Sequence, residues 1–527
     1  MNPADSREAT PSAGLFALIC GLPLTDFLQT GVVAFNAAPI LGDISASPEE
    51  YSLVATLYAV VAIGMIFNHR WLVERLGWRT LMVGCCALFA AGALGCARSN
   101  SLTGFAGSRM LMAMGASSFF TASRVLVNQI PPSPRRFVAI RFLSSGVAWG
   151  AVLGPLVASL AYSHGSWRLA FDALLVPAAV LCALTWRVLP SGREEGTSRP
   201  RILPLLALLG GSFLLLYGLQ RANFAFFAES TALALSALLA LLMLALAIWL
   251  SLRQPTPTLA FGKLAQARYL TGLSIFLICY GVLGANNTMV PVLLRGLQLP
   301  LETVDRTIAW GALGGVAAWI VMARLLPRSQ GPSRYYFLAF SLLGLGGLLT
   351  SRLSESAHPV YDVLPGLLAN GAFIICALST TALQTFQTLQ YDDAVLSNAN
   401  QVKNMLAQIG IAMGVTAATL CLQWRGALHQ THLAESTAAT NPALRQTLDA
   451  LSSSFASAGD PATTARLSLA QLGSTLTQEA TFLATLDYFW ALTRFSLVVL
   501  GLVLLEHVIH KWWSSMTAIV EAPAARG

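Results

Sequence analysis

The sequence predicts an all-α polytopic membrane protein, and three observations carry that prediction. Only 11% of the residues are charged while 55% are hydrophobic, less than half the charge of an ordinary soluble domain. Apolar runs long enough to cross a bilayer, about 20 residues each, recur along the whole chain. The segments between those runs alternate between many and few basic residues, which is the pattern that membrane insertion imposes.

Taken in order, the first dozen residues are polar and mixed in charge (Asp5, Arg7, Glu8). The apolar run from about Gly14 is too long for a signal peptide and lacks its small-residue cleavage site, so the N-terminus is expected to remain and to stay cytoplasmic. Further runs begin near Tyr51, Thr80, Ser101, Phe137 and Arg168, completing a first group of six. Two more begin near Ile202 and Ser230, set apart by the basic segment 189–201 and the Pro-rich segment 254–263. The last six begin near Tyr269, Thr303, Ser333, Pro359, Val395 and Phe482, giving about fourteen spans. The run 202–220 is the weakest of them. The run 359–389 is longer than a perpendicular helix needs, as tilt requires.

With the N-terminus inside, the inner segments and tails hold nineteen of the 32 basic residues, among them Arg70, Arg75, Arg79, Arg135, Arg136 and Lys263; the outer segments hold nine. Both termini are therefore expected inside, and the formal net charge of +8 needs no nucleic-acid partner. Four basic residues fall within spans: Arg109, Arg124, Lys403 and Arg494. The division that follows is a tail 1–13, a six-helix bundle 14–188, an inserted helix pair with its flanking loops 189–268, spans nine to thirteen 269–425, an outer loop 426–480, a last span 481–512 and a tail 513–527. The outer loop is rich in Ser, Thr, Ala and Gln, too polar to span and too long for an ordinary connection; it is expected to form a partly helical cap.

No enzyme or redox class fits. Seven of the eight cysteines lie in or at the edge of apolar runs and none has metal-site spacing. All seven histidines lie in loops or at span ends, so no facing pair is available for haem. No phosphate-binding Gly-x-x-x-x-Gly-Lys-Ser/Thr loop is present. No cofactor or metal is expected, and an ion gradient is left as the energy source.

After the second span comes Arg70-Trp71-Leu72-Val73-Glu74-Arg75-Leu76-Gly77-Trp78-Arg79. It resembles the major facilitator loop Gly-x-Leu-x-Asp-Arg-x-Gly-Arg-Arg, with Leu72, Arg75, Gly77 and Arg79 matching and Glu74 in place of the Asp. The resemblance implies a charge latch at the inner helix ends. In the fifth span Gly146, Gly150, Gly154 and Pro155 put three glycines on one face ahead of a bend. This resembles the antiporter signature Gly-x-x-x-Gly-Pro-x-x-Gly-Gly, although Ala158-Ser159 replaces its last two glycines. In the fourth span Arg109 stands where the family has Arg-x-x-Gln-Gly, with Met112 and Ala113 in place of the Gln and Gly; an arginine buried in an apolar span is costly and marks an ion or substrate route.

The order of these motifs, the extra central helix pair and the long loop before the last span together resemble the fourteen-helix drug:proton antiporters of the EmrB/QacA type, over residues 14 to 512. That resemblance implies a major facilitator fold: two six-helix halves around a central cavity, with two helices inserted between them, rocking by alternating access. The function it implies is efflux of amphipathic drugs or secondary metabolites across the cell inner membrane. The alternatives are a dedicated exporter of an endogenous metabolite such as a siderophore, or a sensor or scaffold without transport. The outer loop and the segment Asp487-Tyr488-Phe489-Trp490 resemble the matching parts of the same family, implying a HlyD-type periplasmic adaptor and a TolC-like outer-membrane channel as partners.

The family's first-span Asp is missing, but Asp26, Gln29, Val33 and Asn36 share a helix face. Asp26 is read as a displaced proton carrier paired with Arg109. Asn286, Asn287, Asn370, Gln384 and Gln387 come from spans that line the cavity in this superfamily, and Lys403 takes the place of a basic residue in its thirteenth span; with Gln29, Asn36 and Met112 they are the candidate cavity residues. Few acids face that cavity, which weighs against a dedicated polycation exporter.

Overall fold

A segment in lipid has no water to satisfy its peptide groups, so each must close its hydrogen bonds within itself. The computed structural model describes residues 12–521 apart from 132, 193–200, 256, 326–331, 390, 391, 436–441 and 456–459, and the described residues form helices and turns with no strand. The expectations for the tail 1–11, for most of segment 189–201 and for residues 522–527 lie outside the described residues.

The first half comprises α1 (Ala13–Phe35), α2 (Ala37–Asp43), α3 (Pro48–Leu76), α4 (Trp78–Arg98), α5 (Leu102–Gln129), α6 (Pro134–Ser163), α7 (Arg168–Ala173) and α8 (Leu175–Val188). Then come α9 (Ile202–Ala225), α10 (Ser230–Leu252) and the short α11 (Phe261–Leu264). The second half holds α12 (Ala267–Gly296), α13 (Leu301–Leu325), α14 (Pro332–Ser351), a π-turn Pro359–Val363 that runs into α15 (Leu364–Phe386), α16 (Asp393–Glu435), α17 (Pro442–Ser454) and α18 (Pro461–Glu521). Serine side chains start several spans: Ser47 and Glu50 form a reciprocal capping box on α3, while Ser101 and Ser133 cap α5 and α6.

Among the described residues, thirteen helices are long and apolar enough to cross a membrane, with α7 and α8 forming one span and the π-turn and α15 another. The remaining one, α14, opens on the polar Ser333-Arg334 and carries Gly344, Gly346 and Gly347, which lower its hydropathy. It packs between α15 and α18 as the other spans pack, and with it the count is the expected fourteen. The weak run 202–220 is a full helix, α9.

The two halves repeat one packing scheme. In the first, α1 lies along α6; in the second, α12 lies along α16. Both pairs approach through glycine: Gly146, Gly150 and Gly154 of α6 press on the α1 backbone, and Gly410 and Gly414 of α16 press on α12 at Tyr280 and Gly281. The halves meet along α6 and α13 on one side and along α3, α5 and α16 on the other. The inserted α9 packs on α3 of one half and α16 of the other, with α10 outside it. Thr416 donates to the Leu219 carbonyl at 2.9 Å and fixes this seat. The outer-loop expectation takes a more helical form: α16 has 43 residues and α18 has 61, about 65 and 90 Å at 1.5 Å per residue. Both overrun a hydrocarbon core of about 30 Å, α17 packs on α18, and the expected boundary at 480 falls inside α18.

Candidate proton and substrate site

A buried guanidinium must find acceptors or a ring face, and Arg109, 6% exposed, finds both. Its Nη1 donates to Gln29 Oε1 at 3.0 Å, and its Cζ lies 4.2 Å from the centroid of Tyr58 on α3. The Gln29 amide nitrogen in turn donates to the Tyr58 hydroxyl at 2.8 Å and lies 3.5 Å from Asp26 Oδ1. The three-residue spacing of Asp26 and Gln29 on α1 places both on one face, as the sequence indicated. Asp26 and Arg109 thus belong to one network, with Gln29 between them. Pro23 lies inside a continuous α1, so Asp26 is no helix-terminal cap.

The other half has its own polar centre. Asn286 on α12 donates to Asn370 Oδ1 on α15 at 2.9 Å, and Tyr488 on α18 donates to Asn286 Oδ1 at 2.7 Å. The sequence marks Tyr488 only as part of a family-like segment; its hydroxyl completes this triad.

Lys403, 1% exposed on α16, reaches across to the first half. Its Nζ stands 4.4 Å from the ring centroid of Phe120 on α5, 5.5 Å from that of Phe276 and 5.9 Å from that of Tyr280, both on α12. Arg124 reaches the opposite way, from α5 to Phe386 on α15, at 5.5 Å. Two neutral bonds flank this crossing: Asn404 donates to Thr121 Oγ1 and Gln401 to the Ile66 carbonyl, each at 2.8 Å. The polar run Asn398-Ala399-Asn400-Gln401 in an otherwise apolar span was the available signal for the seam; nothing in the sequence marked Phe120 or Phe276.

The remaining candidates lie elsewhere. Asn36 donates to the Val32 carbonyl at 2.8 Å, at the junction of α1 and α2. Met112 is wholly buried between α4 and α5, its sulfur 3.5 Å from Arg109 Nη1. Asn287 is exposed. Gln384 and Gln387 sit at the end of α15, where Arg268 donates to their side-chain oxygens at 2.6 and 2.5 Å. The stretch expected as a loop is the last two turns of α3, where Arg70 pairs with Glu74 at 2.9 Å and the Arg75 guanidinium lies 6.0 Å from the Trp71 ring. Gly77 takes a φ of 83°, which favours glycine. Arg79 donates to the Leu189 carbonyl at 2.8 Å, tying α4 to the end of α8 within the first half. Pro155 follows Gly154 against Gly31 of α1.

Two six-helix bundles of matching internal packing, facing each other across a seam that holds buried charges, define a membrane transporter of the alternating-access class. Residues 19–415 match the Major Facilitator Superfamily, and the chain belongs to that superfamily. The putative multidrug resistance protein MdtD of Escherichia coli O81 is 24% identical over 409 residues, 76% of this chain and 84% of MdtD. MdtD of Citrobacter koseri is 24% identical over 420 residues, 79% of this chain and 86% of its own. Among solved structures, the nucleoside transporter NupG superposes with a TM-score of 0.54 at 10% identity, over 92% of this chain and 99% of NupG. The human organic anion transporter MFSD10 gives 0.53 at 16% identity, over 78% of this chain and 93% of its own. Both share the fold.

Proposed function

We propose that this chain is a proton-coupled antiporter that exports amphipathic small molecules, drugs or secondary metabolites, across the inner membrane by alternating access. The observation that carries the reading is Asp26: a half-buried carboxyl on α1, touched by the neutral amide of Gln29 and in no ion pair among the described residues. A carboxyl without a bound cation can change charge during a cycle, and the Gln29–Arg109–Tyr58 group holds it in place. The relatives named as putative multidrug resistance proteins support efflux of drug-like molecules. The residues carry no metal-ligating group of three or more His, Cys, Asp or Glu among those described, and the reading assigns no chemical conversion of the substrate.

In this reading the chain is a multi-pass inner-membrane protein with both termini cytoplasmic, and the projecting ends of α16 and α18 with α17 meet a HlyD-type adaptor leading to a TolC-like channel. The test is uphill drug movement in proteoliposomes under an imposed pH gradient. Wild type is expected to move drug against its gradient with counterflow of protons; Asp26→Asn is expected to insert and fold but to lose both. Unchanged uphill transport in Asp26→Asn would remove Asp26 from the coupling role.

A further inference from the structure

Three aromatic faces around one ammonium group make the environment that recognises organic cations. In this protein such a site is built from both halves, by Phe120 on α5 with Phe276 and Tyr280 on α12, and the side chain of Lys403 fills it. Lys403 has no carboxylate within salt-bridge reach among the described residues, although a buried ammonium ordinarily takes one. The charged groups acting on it are Arg124 of α5 and Asp26 of α1. Asp26 is close at hand, because its neighbour Phe27 packs on Phe120 with ring centroids 6.2 Å apart. Tyr280 is the titratable group contributed by α12, and the nearest polar neighbours on α16 itself, Gln401 and Asn404, are neutral.

We propose that the three-ring site receives the cationic head of a transported organic monocation, and that Lys403 is its internal occupant, exchanging between the rings and Asp26. The proposal rests on the reading of the chain as an antiporter with Asp26 as proton carrier. When Asp26 is ionised, its carboxylate draws the Lys403 ammonium off the rings and leaves them free for substrate. When Asp26 is protonated, Lys403 has no anion to move to and returns to the rings, and substrate is excluded. Proton and substrate therefore oppose each other's binding, and the opposition is reciprocal, as antiport requires. The charges balance: one proton inward for one monovalent cation outward, with no net charge moved. Arg124, stacked on Phe386, stays in place and disfavours a second positive charge. Recognition by rings rather than carboxylates explains how a cavity with few acids takes a cation. Lys403 seated on the rings is the arrangement expected with Asp26 protonated.

The experiment measures binding of tetraphenylphosphonium to the purified full-length protein in detergent, without any gradient, with tetraphenylborate as the same shape of opposite charge. Wild type is expected to bind the phosphonium at least tenfold more tightly at pH 8.5 than at pH 5.5, with no competition from the borate. Asp26→Asn should bind weakly at both pH values. Lys403→Met should bind tightly at both, and Asp26→Asn combined with Lys403→Met should regain the tight binding that Asp26→Asn lost. A structural role for Lys403 would give no such rescue. Should Lys403→Met not be monodisperse, Lys403→Gln serves the same comparison. A double variant as weak as Asp26→Asn, loss of binding in both Lys403 variants, or equal competition by the borate overturns the proposal. Because binding is read without transport, a protein that shows this pattern but exports nothing in proteoliposomes sinks the efflux reading and leaves the exchange standing; uphill export without the rescue does the reverse.

Discussion

Gly31 of α1 and Gly154 of α6 meet backbone to backbone: a Cβ built on either would stand 2.8 Å from the other's Cα. No side chain fits there without moving one helix, and overpacking of this kind costs about 1–3 kcal/mol. Gly154→Val is expected to lower the melting temperature of the purified protein and to impair transport by shifting the helix that carries Asp26. Gly84, with nothing within 4 Å of its Cβ position, is the control; Gly84→Ala should leave both unchanged. Equal behaviour of the two variants would reject a role for the glycine contact.

Arg109→Lys tests whether charge alone suffices at that position. A planar guanidinium can stack on Tyr58 while donating to Gln29, whereas a lysine ammonium is a point charge without that geometry. Transport in proteoliposomes is expected to fall at least tenfold with the protein still monodisperse. Retention of full activity would mean that Arg109 supplies only positive charge.

The fourteen spans were legible because the bilayer imposes a length and a charge pattern on each one, and the Asp26 face followed from helical spacing alone. The partners of those residues were not legible. Lys403 meets Phe120 across 283 positions of sequence, and in a membrane helix the lipid face and the core face are both apolar, so periodicity does not say which ring turns inward. Gln384 and Gln387 are cavity candidates only because their span lines the cavity in this superfamily; the side chain of Arg268, in the first turn of α12, holds them at the end of α15 instead. Asn36 looked like part of the polar stripe of α1, but the helix ends there and its amide turns back to Val32.

Asp392 caps the helix that carries Lys403. Its Oδ1 accepts from the backbone of Ala394 at 3.0 Å and Val395 at 3.1 Å, and its Oδ2 meets Lys263 Nζ at 3.4 Å. The backbone bond from Val395, with Lys263 adding to it, holds this carboxyl below its ordinary value of 3.8. A depressed acid stabilises the fold above its unfolded value, so the contribution is complete at neutral pH and is lost as the pH falls below about 3.8. Asp392→Ala is expected to cost about 1 kcal/mol at pH 7, the usual size of a lost cap, read as a lower thermal midpoint. The gap between wild type and variant should shrink in acid; a gap independent of pH would show that the charge is not what caps α16.

Asp487 on α18 accepts from Arg425 Nε and shares a 2.6 Å contact with His429 Nε2, both on α16. All three side chains are about a quarter to a third exposed, so solvent screening limits the ion pair to about 1 kcal/mol. Asp487→Asn is expected to lower the thermal midpoint modestly, and a double-mutant cycle with Arg425→Ala should return a coupling of that size. Additive effects would show that α16 and α18 are held at this end by packing alone.

The helices that Asp487 joins continue beyond any bilayer, and that extension bears on a partner. Joining two adjacent helix ends needs only a few residues, and long ordered connections are usually functional. Here α16 runs to Glu435, α17 lies along α18, and α18 begins as far out as Pro461. Helical ends projecting from the membrane present a rigid surface of the kind a periplasmic adaptor could grip, whereas a tolerated insertion has no reason to extend two membrane helices in register. Replacing residues 435–466 by a short Gly/Ser linker removes α17 and the outermost turns while leaving the Arg425–Asp487 junction intact. The shortened protein is expected to insert, to bind substrate and to move it in proteoliposomes, but to lose crosslinking to the adaptor and export across the outer membrane in cells. Full export with the linker would mean that the projection is dispensable and that the transporter delivers its substrate only as far as the periplasm.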